Sequence, residues 1–313
     1  MSLETANKKE ATAWTKSAFA PLLEVLAFSI HPGSSESTTT LCLFGGTMYL
    51  TSQNNLKFDG IDGDTLKAKL AALKALVLDK TKTKAVRFES WWNNHCSLSG
   101  KVGAKLTETG QARAAETIAK ADEKILGAKK VAADAMNEYC FDPDAATVAA
   151  SIQDLSDRIT KTYVVLNEHI FRGSTVTTGV HGETRILRYM FILFAIVNFV
   201  KREGGAAGVG VLKGSRGKPM GALRAKIIVV MEEAFVAWAR KRNLVFGSSQ
   251  GTCQGCSRAL DIVKAGRGAS GNPFKQWLDP LDLSGAQGTT MIAANIREHA
   301  LNLVLCDFDT STD

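Results

Sequence analysis

The chain has few of the features that mark exported or membrane-spanning proteins. Six cysteines in 313 residues are too few and too scattered for a disulfide scaffold, which favours a reducing compartment. The N-terminal residues, MSLETANKKEATAWTKSAF, contain no apolar segment followed by a small-residue cleavage site, so we expect no secretory signal. The most apolar run, MFILFAIVNFV at 190–200, is far shorter than the ~20 residues that cross a bilayer. These absences predict a cytoplasmic protein.

Phosphate-binding loop motifs are also absent. The glycine-rich stretch 204–219, GGAAGVGVLKGSRGKP, has neither a GxGxxG that opens a helix nor a GK[ST], so we interpret it as a flexible loop. The remaining composition, 45% hydrophobic and 22% charged, is that of a globular protein with a sizeable core. A net charge of +7 favours anionic partners such as nucleic acid or nucleotides, although the charge is spread along the chain.

Hydrophobic periodicity divides the chain into three parts. Residues 1–60 contain a predicted helix at 9–30 and a β-hairpin around Gly45 and Gly46. Residues 61–172 are predicted to be a helical insertion, with Ala-rich and charge-laced segments that run to about residue 170. Residues 173–313 are predicted to contain a strong helix from HGETRILRYMF, a short strand in LVFGSS and a helix that begins at CQGC.

Two short motifs stand at predicted helix starts. His181 and Glu183 form an H-x-E, and Cys253 and Cys256 form a C-x-x-C. Two cysteines three residues apart can direct both sulfurs to one ion, and a helix N-terminus favours their thiolate form. With one histidine they supply three zinc ligands, which leaves the fourth position open for water, as in catalytic sites. Zinc makes such a water more acidic, and Glu183 is placed to move its proton.

Each motif alone is unspecific. A C-x-x-C is also a redox pair or half of a structural zinc site, and most H-x-E patterns on apolar helices are incidental. The sequence contains no second C-x-x-C, and the H-x-E precedes the C-x-x-C in the order that zinc deaminases use. We therefore favour a catalytic site, while a structural zinc site and a redox pair stay open.

With these motifs the chain resembles the cytidine deaminase-like superfamily, and specifically the bacterial toxin-type nucleic-acid deaminases. The family pattern is helix, β-hairpin, helix with H-x-E, strand, and helix with C-x-x-C, and GTCQGC is similar to the cysteine motif of double-stranded-DNA cytosine deaminase toxins. The resemblance covers about residues 9–60 and 175–313. It implies an α/β three-layer fold, with a mixed five-stranded sheet, helices on both faces and a helical insertion.

The resemblance also implies roles for individual residues. His181, Cys253 and Cys256 would bind Zn²⁺ and Glu183 would shuttle protons. The family's sugar-contacting asparagine would correspond to Asn54 or Asn55, and Ser248 and Ser249 would lie on the loop that lines the base pocket, although they also suit a plain turn. The chain departs from the family in Thr252, where many members have proline, in the separation of about seventy residues between the motifs, and in the helical insertion.

The activity implied is hydrolytic deamination of a nucleobase, with cytosine in DNA or RNA as first choice and Lys213, Arg216 and Lys218 as candidate backbone contacts. A free nucleoside or nucleotide deaminase and an adenine deaminase are alternatives. A non-catalytic, zinc-stabilised interaction module is the alternative from another class. As a toxin, the protein would act after delivery into another cell.

One aromatic segment was weighed as a base-stacking surface. FESWWNNHCS at 88–97 contains Trp91 and Trp92, which we predict to lie in the core because large aromatic side chains are buried on average. His95 and Cys96 are adjacent, a poor geometry for sharing one metal, and are left out of the predicted site.

Overall fold

The computed structural model describes residues 19–31, 38–52, 58, 60–99, 115–166, 182–202, 234–235, 237–238 and 244–249. They divide between two compact units. The first unit holds the described residues up to Val164, together with 182–183 and 245–249. The second unit holds 165–166, 184–202, 234–235, 237–238 and Leu244.

A β-hairpin forms the centre of the sheet in the first unit. Strand β1 (Thr39–Phe44) pairs antiparallel with β2 (Thr47–Ser52). Between them, Gly45 and Gly46 have φ values of 53° and 76°. Tight two-residue hairpin turns require such positive φ values, which glycine adopts without a steric penalty. The hairpin predicted around this glycine pair is confirmed.

Two short strands extend the hairpin on its two sides. Strand β3 (Lys161–Val164) pairs parallel with β2, and β4 (Val245–Ser248) pairs antiparallel with β1, so the strand order is β3-β2-β1-β4. The short strand predicted in LVFGSS is confirmed as β4. The described part of the chain is therefore mixed α/β with a four-stranded mixed sheet. The fifth strand and the three-layer arrangement stay predictions, because residues 250–313 lie outside the described residues.

The described residues also contain six α-helices: α1 (Phe19–Ser29), α2 (Gly63–Leu78), α3 (Lys84–His95), α4 (Ala115–Met136), α5 (Ala145–Arg158) and α6 (Gly182–Arg202). The side chains of Asp62, Thr83 and Asp144 cap the N-termini of α2, α3 and α5, each accepting a hydrogen bond from the backbone N–H three residues later. Hydrogen bonds from the backbone N–H groups of Thr65 and Thr147 lower the pKa of the Asp62 and Asp144 carboxyls, respectively. The helical character predicted for this region is confirmed over most of its described length.

The helices predicted as an insertion pack on the same hydrophobic core as the hairpin. Helix α2 buries Leu66, Leu70, Leu73 and Val77, one face of the helix, in a core that also contains the apolar residues of α1 and the hairpin. On α3, Trp91 and Trp92 are each 2% exposed, which confirms their predicted core position. The described helices of this region and the hairpin are therefore parts of one unit.

The predicted helix that runs to about residue 170 is wrong beyond Arg158. There α5 ends, and residues 161–164 form β3. The backbone N–H and the hydroxyl of Thr160 both donate to the Gly46 carbonyl, each at 2.8 Å, and so hold the chain against the hairpin turn. The following KTYV contains residues with high β-propensity, and pairing with β2 satisfies their backbone groups.

Strand β4 lies directly against the backbone of α1. A Cβ built at Gly247 would overlap the backbone and Cβ of Leu23 and the backbone nitrogen of Glu24. Only glycine fits this contact without movement of the helix or the strand. Gly247 therefore fixes the distance between α1 and β4.

The described part of the second unit has an aromatic core. Phe191 and Phe194 on α6 pack against Phe235 with ring centroids 5.2 and 5.7 Å apart, and Phe194 also packs against Trp238 at 5.2 Å. The strong helix predicted from HGETRILRYMF is confirmed as α6. None of the helices in the described ranges is long and apolar enough to cross a bilayer.

Arg87 on α3 binds the C-terminal end of α2. Its Nη1 donates to the carbonyls of Leu76 at 3.2 Å and Val77 at 3.1 Å, and its guanidinium carbon lies 4.3 Å from the ring centroid of Phe141. The last carbonyls of a helix lack intrahelical donors, and a cation there is favourable. Arg87 is 4% exposed, so this interaction is shielded from solvent.

We expect Arg87→Met to lower the free energy of unfolding by about 2–3 kcal/mol, because it removes charged hydrogen bonds in a buried setting. Urea unfolding followed by circular dichroism measures the change. The control is Lys84→Met on the same helix, which removes an exposed pair with Asp142 and should have little effect. Equal losses in the two variants would contradict a special contribution from the buried contact.

Candidate functional site

One end of the sheet is lined by hydroxyl side chains. Where β1 begins and β2 and β4 end, Thr40 is opposite Thr51 on one side and Ser248 on the other, and Thr39 is opposite Ser52. The Oγ1 of Thr40 lies 3.3 Å from the Oγ of Ser248. We call the following residues the hydroxyl row: Thr39, Thr40, Thr51, Ser52, Ser248 and Ser249.

The hydroxyl row is almost wholly buried. Five of its members are at most 4% exposed, and Ser248 is half-buried. Buried polar groups need hydrogen-bond partners. In the row, the Ser249 hydroxyl accepts from the Thr39 N–H, and the Thr40 and Ser248 hydroxyls bind each other. In the middle of the same strands, Leu41, Leu43 and Leu50 belong to the apolar core. The sheet therefore changes from apolar to polar at this end.

Helix α6 begins against the hydroxyl row. A Cβ built at Gly182 would overlap the hydroxyl and Cβ of Thr40 and would lie 3.1 Å from the Cγ2 of Thr51. The absence of a side chain at Gly182 thus lets the first turn of α6 touch the strands. The next residue, Glu183, is a carboxylate in this first turn and is 3% exposed.

Three of the predicted site residues lie in the described part of the chain, and the structure brings them to one place. Thr40 contacts Gly182, the neighbour of Glu183, and also contacts Ser248. Ser249 follows directly and donates its N–H to the Thr39 carbonyl at 2.9 Å. Glu183, Ser248 and Ser249 therefore gather at the polar end of the sheet, although 65 residues of sequence separate Glu183 from Ser248.

The other predicted site residues lie outside the described residues. These are the zinc ligands His181, Cys253 and Cys256 and the candidate sugar contacts Asn54 and Asn55. Within the described ranges no group of three or more His, Cys, Asp or Glu side chains is arranged to hold a metal ion. The zinc site stays a prediction.

The cysteines in the described ranges do not offer thiolates. Cys42, Cys96 and Cys140 are buried and unbridged. Burial raises the pKa of the Cys42 and Cys96 thiols far above the usual range and that of Cys140 to about 12. A metal or a redox partner requires the thiolate form, which these three thiols do not supply at neutral pH.

His95 and Cys96 take part in the packing of α3. The Nζ of Lys69 donates to the His95 carbonyl at 2.7 Å, and Cys96 is 4% exposed. Burial and the nearby Lys69 lower the pKa of the His95 imidazole. These contacts hold the C-terminal end of α3 in place, so His95 and Cys96 have a structural role.

Sequence reasoning missed several residues at this site. Thr40 was only part of a β-prone run, and Gly182 stood unremarked between the two named residues of the H-x-E motif. On α6, in the second unit, Arg185 and Arg188 are also buried, and their burial lowers the pKa of each guanidinium to about 10. Arginine is rarely fully buried, so two arginines three residues apart in an apolar helix pattern were a usable signal.

The comparisons with known proteins add no relative. No protein-family model matches the chain, and neither a curated protein nor a solved structure gives a significant match.

We expect Gly182→Ala to disrupt the start of α6, because the added methyl group overlaps backbone-proximal atoms of Thr40. A loss of about 2–3 kcal/mol in the free energy of unfolding is expected, typical of overpacking. The matched control is Gly127→Ala on α4, where a Cβ meets nothing within 4 Å. That variant should be stabilised by up to about 1 kcal/mol, because alanine is the better helix former. Equal thermal midpoints for the two variants would contradict the close contact at Gly182.

Proposed function

We propose that the protein is a zinc-dependent hydrolytic deaminase of a nucleobase, with cytosine in DNA or RNA as the preferred substrate. The observation that carries the proposal is the buried Glu183 carboxylate at the start of α6, where this helix meets the hydroxyl row. Carboxylates are seldom fully buried, and buried ionisable groups are common at functional sites.

The order of the described elements supports the proposal. In the described residues, a helix (α1) and a β-hairpin (β1 and β2) come first. After the helices α2–α5 and β3 come the helix that carries Glu183 (α6) and a strand that ends just before the C-x-x-C (β4). This is the element order of the deaminase family that the motifs resemble. Strand β4 beside β1 also brings Ser248 and Ser249 to the end of the sheet at which α6 begins.

The residues present suit a zinc ion. One imidazole and two thiolates, from His181, Cys253 and Cys256, are nitrogen and sulfur donors of the kind that zinc prefers, and three such ligands leave one open position. Gly182 lies between His181 and Glu183 in the sequence, and its contact with Thr40 and Thr51 fixes the start of the helix that carries Glu183. A bound zinc would lower the pKa of a water molecule toward ~7 and so supply a nucleophile at neutral pH.

Glu183 would act as the proton carrier. It would take one proton from the attacking water and give it to the ring nitrogen beside the reacting carbon. It would then take the second proton from the hydroxyl group now on that carbon and pass it to the leaving amine, so that water and cytosine yield uracil and ammonia. Burial suits this role because a carboxylate with few water neighbours delivers its proton to the substrate rather than to solvent. We assign the orientation of the base to the half-buried Ser248 hydroxyl, which lies 3.3 Å from the hydroxyl of Thr40.

The charge of the chain supports a polymeric substrate. Its net charge of +7 favours a polyanion, and Lys213, Arg216 and Lys218 are candidate contacts to the phosphate backbone that lie outside the described residues. A base within a duplex would have to leave the stack to reach Glu183. A free nucleoside would need none of these cations.

We expect Glu183→Gln to abolish deamination while zinc content and fold are retained, because the amide keeps the shape of the carboxylate but cannot accept and return a proton. Zinc-loaded wild type and variant are incubated with single-stranded DNA, duplex DNA, RNA and free nucleosides, and base conversion is measured by sequencing and mass spectrometry. The rate should fall by at least about 100-fold.

The matched control is Glu89→Gln, which removes an exposed carboxylate that pairs with Lys129 at 2.8 Å. Its conversion rate should equal that of the wild type. Conversion of nucleosides alone would redirect the proposal to a free-nucleoside deaminase. A wild type that holds one zinc, unfolds without it and converts no substrate would overturn the enzymatic proposal in favour of an interaction module.

A further inference from the structure

His31 is a buried histidine that the proposed reaction does not use. It follows the end of α1, is 3% exposed, and its Nδ1 lies 2.7 Å from the Oγ1 of Thr39. Thr39 is itself fully buried at the first position of β1. Burying this polar pair costs desolvation energy that an apolar pair would avoid. Its benefit is therefore that a directional hydrogen bond holds the two residues in one arrangement.

Thr39 also binds Ser249, the residue that follows β4, and so connects it to His31. Its N–H donates to the Oγ of Ser249 at 3.0 Å, and its carbonyl accepts the N–H of Ser249 at 2.9 Å. The hydroxyl, the N–H and the carbonyl of Thr39 are therefore all engaged, one by His31 and two by Ser249. We call His31, Thr39 and Ser249 the clamp.

The clamp lies shortly before the C-x-x-C motif in the sequence. Ser249 is the first residue after β4, and Cys253 follows it by four residues. Four residues span at most ~14 Å when fully extended, so the position of Ser249 limits where the thiol of Cys253 can lie. A mobile attachment point would add conformational entropy that metal binding must remove.

We propose that His31 is a positioning residue that acts through Thr39 to fix the end of β4, and thereby the segment that carries Cys253 and Cys256. The inference rests on the proposed function, in which these two cysteines bind zinc. His31 touches neither metal nor substrate in this role. It belongs to the outer supports of a metal site, whose loss typically weakens metal affinity by about 10–100-fold.

The test compares substitutions that remove the contact with one that keeps a polar group at its position. His31→Leu and Thr39→Val remove the two partners, whereas His31→Asn retains an amide near the position of Nδ1. The matched control is Thr47→Val, a buried threonine of the same hairpin at the opposite end of the sheet. If His31 acts through Thr39, the double variant His31→Leu/Thr39→Val will be no worse than the worse single variant.

Two measurements are made on each protein. Hydrogen exchange of zinc-free protein, followed by mass spectrometry, should show about tenfold faster exchange at residues 244–252 in His31→Leu and Thr39→Val, the effect of one buried hydrogen bond. Chelator competition should show zinc affinity weakened by at least about tenfold in the same two variants. His31→Asn and Thr47→Val should match the wild type in both.

The two proposals fail differently. The positioning role is overturned if both His31→Leu and Thr39→Val exchange hydrogen at the wild-type rate. It is also overturned if exchange is faster but zinc affinity equals that of the wild type. Either outcome leaves the deaminase proposal standing. A wild type that binds no zinc overturns the proposed function and with it the metal-directed purpose of the clamp. If His31→Leu does not fold, Thr39→Val carries the same comparison, since valine keeps the shape of threonine.

Discussion

The contact between the Gly182 backbone and the side chains of Thr40 and Thr51 is the constraint on which the candidate site depends. It places the first turn of α6 directly on the polar end of the sheet, without an intervening side chain. The first N–H groups of a helix have no intrahelical partners and carry partial positive charge. The side chain of Glu183, one residue later, is thus buried beside this helix N-terminus.

The side chains of the strands divide the sheet of the first unit into an apolar part, which stabilises the fold, and a polar end, which is suited to binding a ligand. Leu41, Leu43 and Leu50 belong to a core in which burial of apolar area supplies the stability. The threonines and serines of the hydroxyl row replace water hydrogen bonds by internal ones, which yields little net free energy. An apolar row would serve stability at least as well, so the polar row is better explained by what it contacts than by folding.

Features with strong local causes could be predicted from the sequence. Gly45 and Gly46 between two β-prone runs gave the hairpin, and the long apolar helix pattern gave α6. Strand β3 could not be predicted in this way, because it exists through pairing with β2, more than a hundred residues earlier, and through Thr160 at the hairpin turn. Its four residues follow a helix with no break other than a change in β-propensity.

The candidate site was predictable only as far as its motifs reach. Glu183, Ser248 and Ser249 were named because of the motif and the family resemblance. Thr40 and His31 carry no motif, because their roles arise from contacts with residues far away in sequence, such as the 208 positions between Thr40 and Ser248. Local periodicity contains no information on such contacts.

Two glycines place the hydroxyl row between elements that come from distant parts of the chain. Gly182 brings α6 onto β1 and β2, and Gly247 brings β4 onto α1. At each glycine the contact is made by backbone atoms, so no side chain on that side can rearrange to change the distance. The helices α2–α5 pack on the apolar part of the core instead. Core substitutions on their buried faces should therefore change stability without moving the hydroxyl row, which makes stability and site geometry separately measurable in this unit.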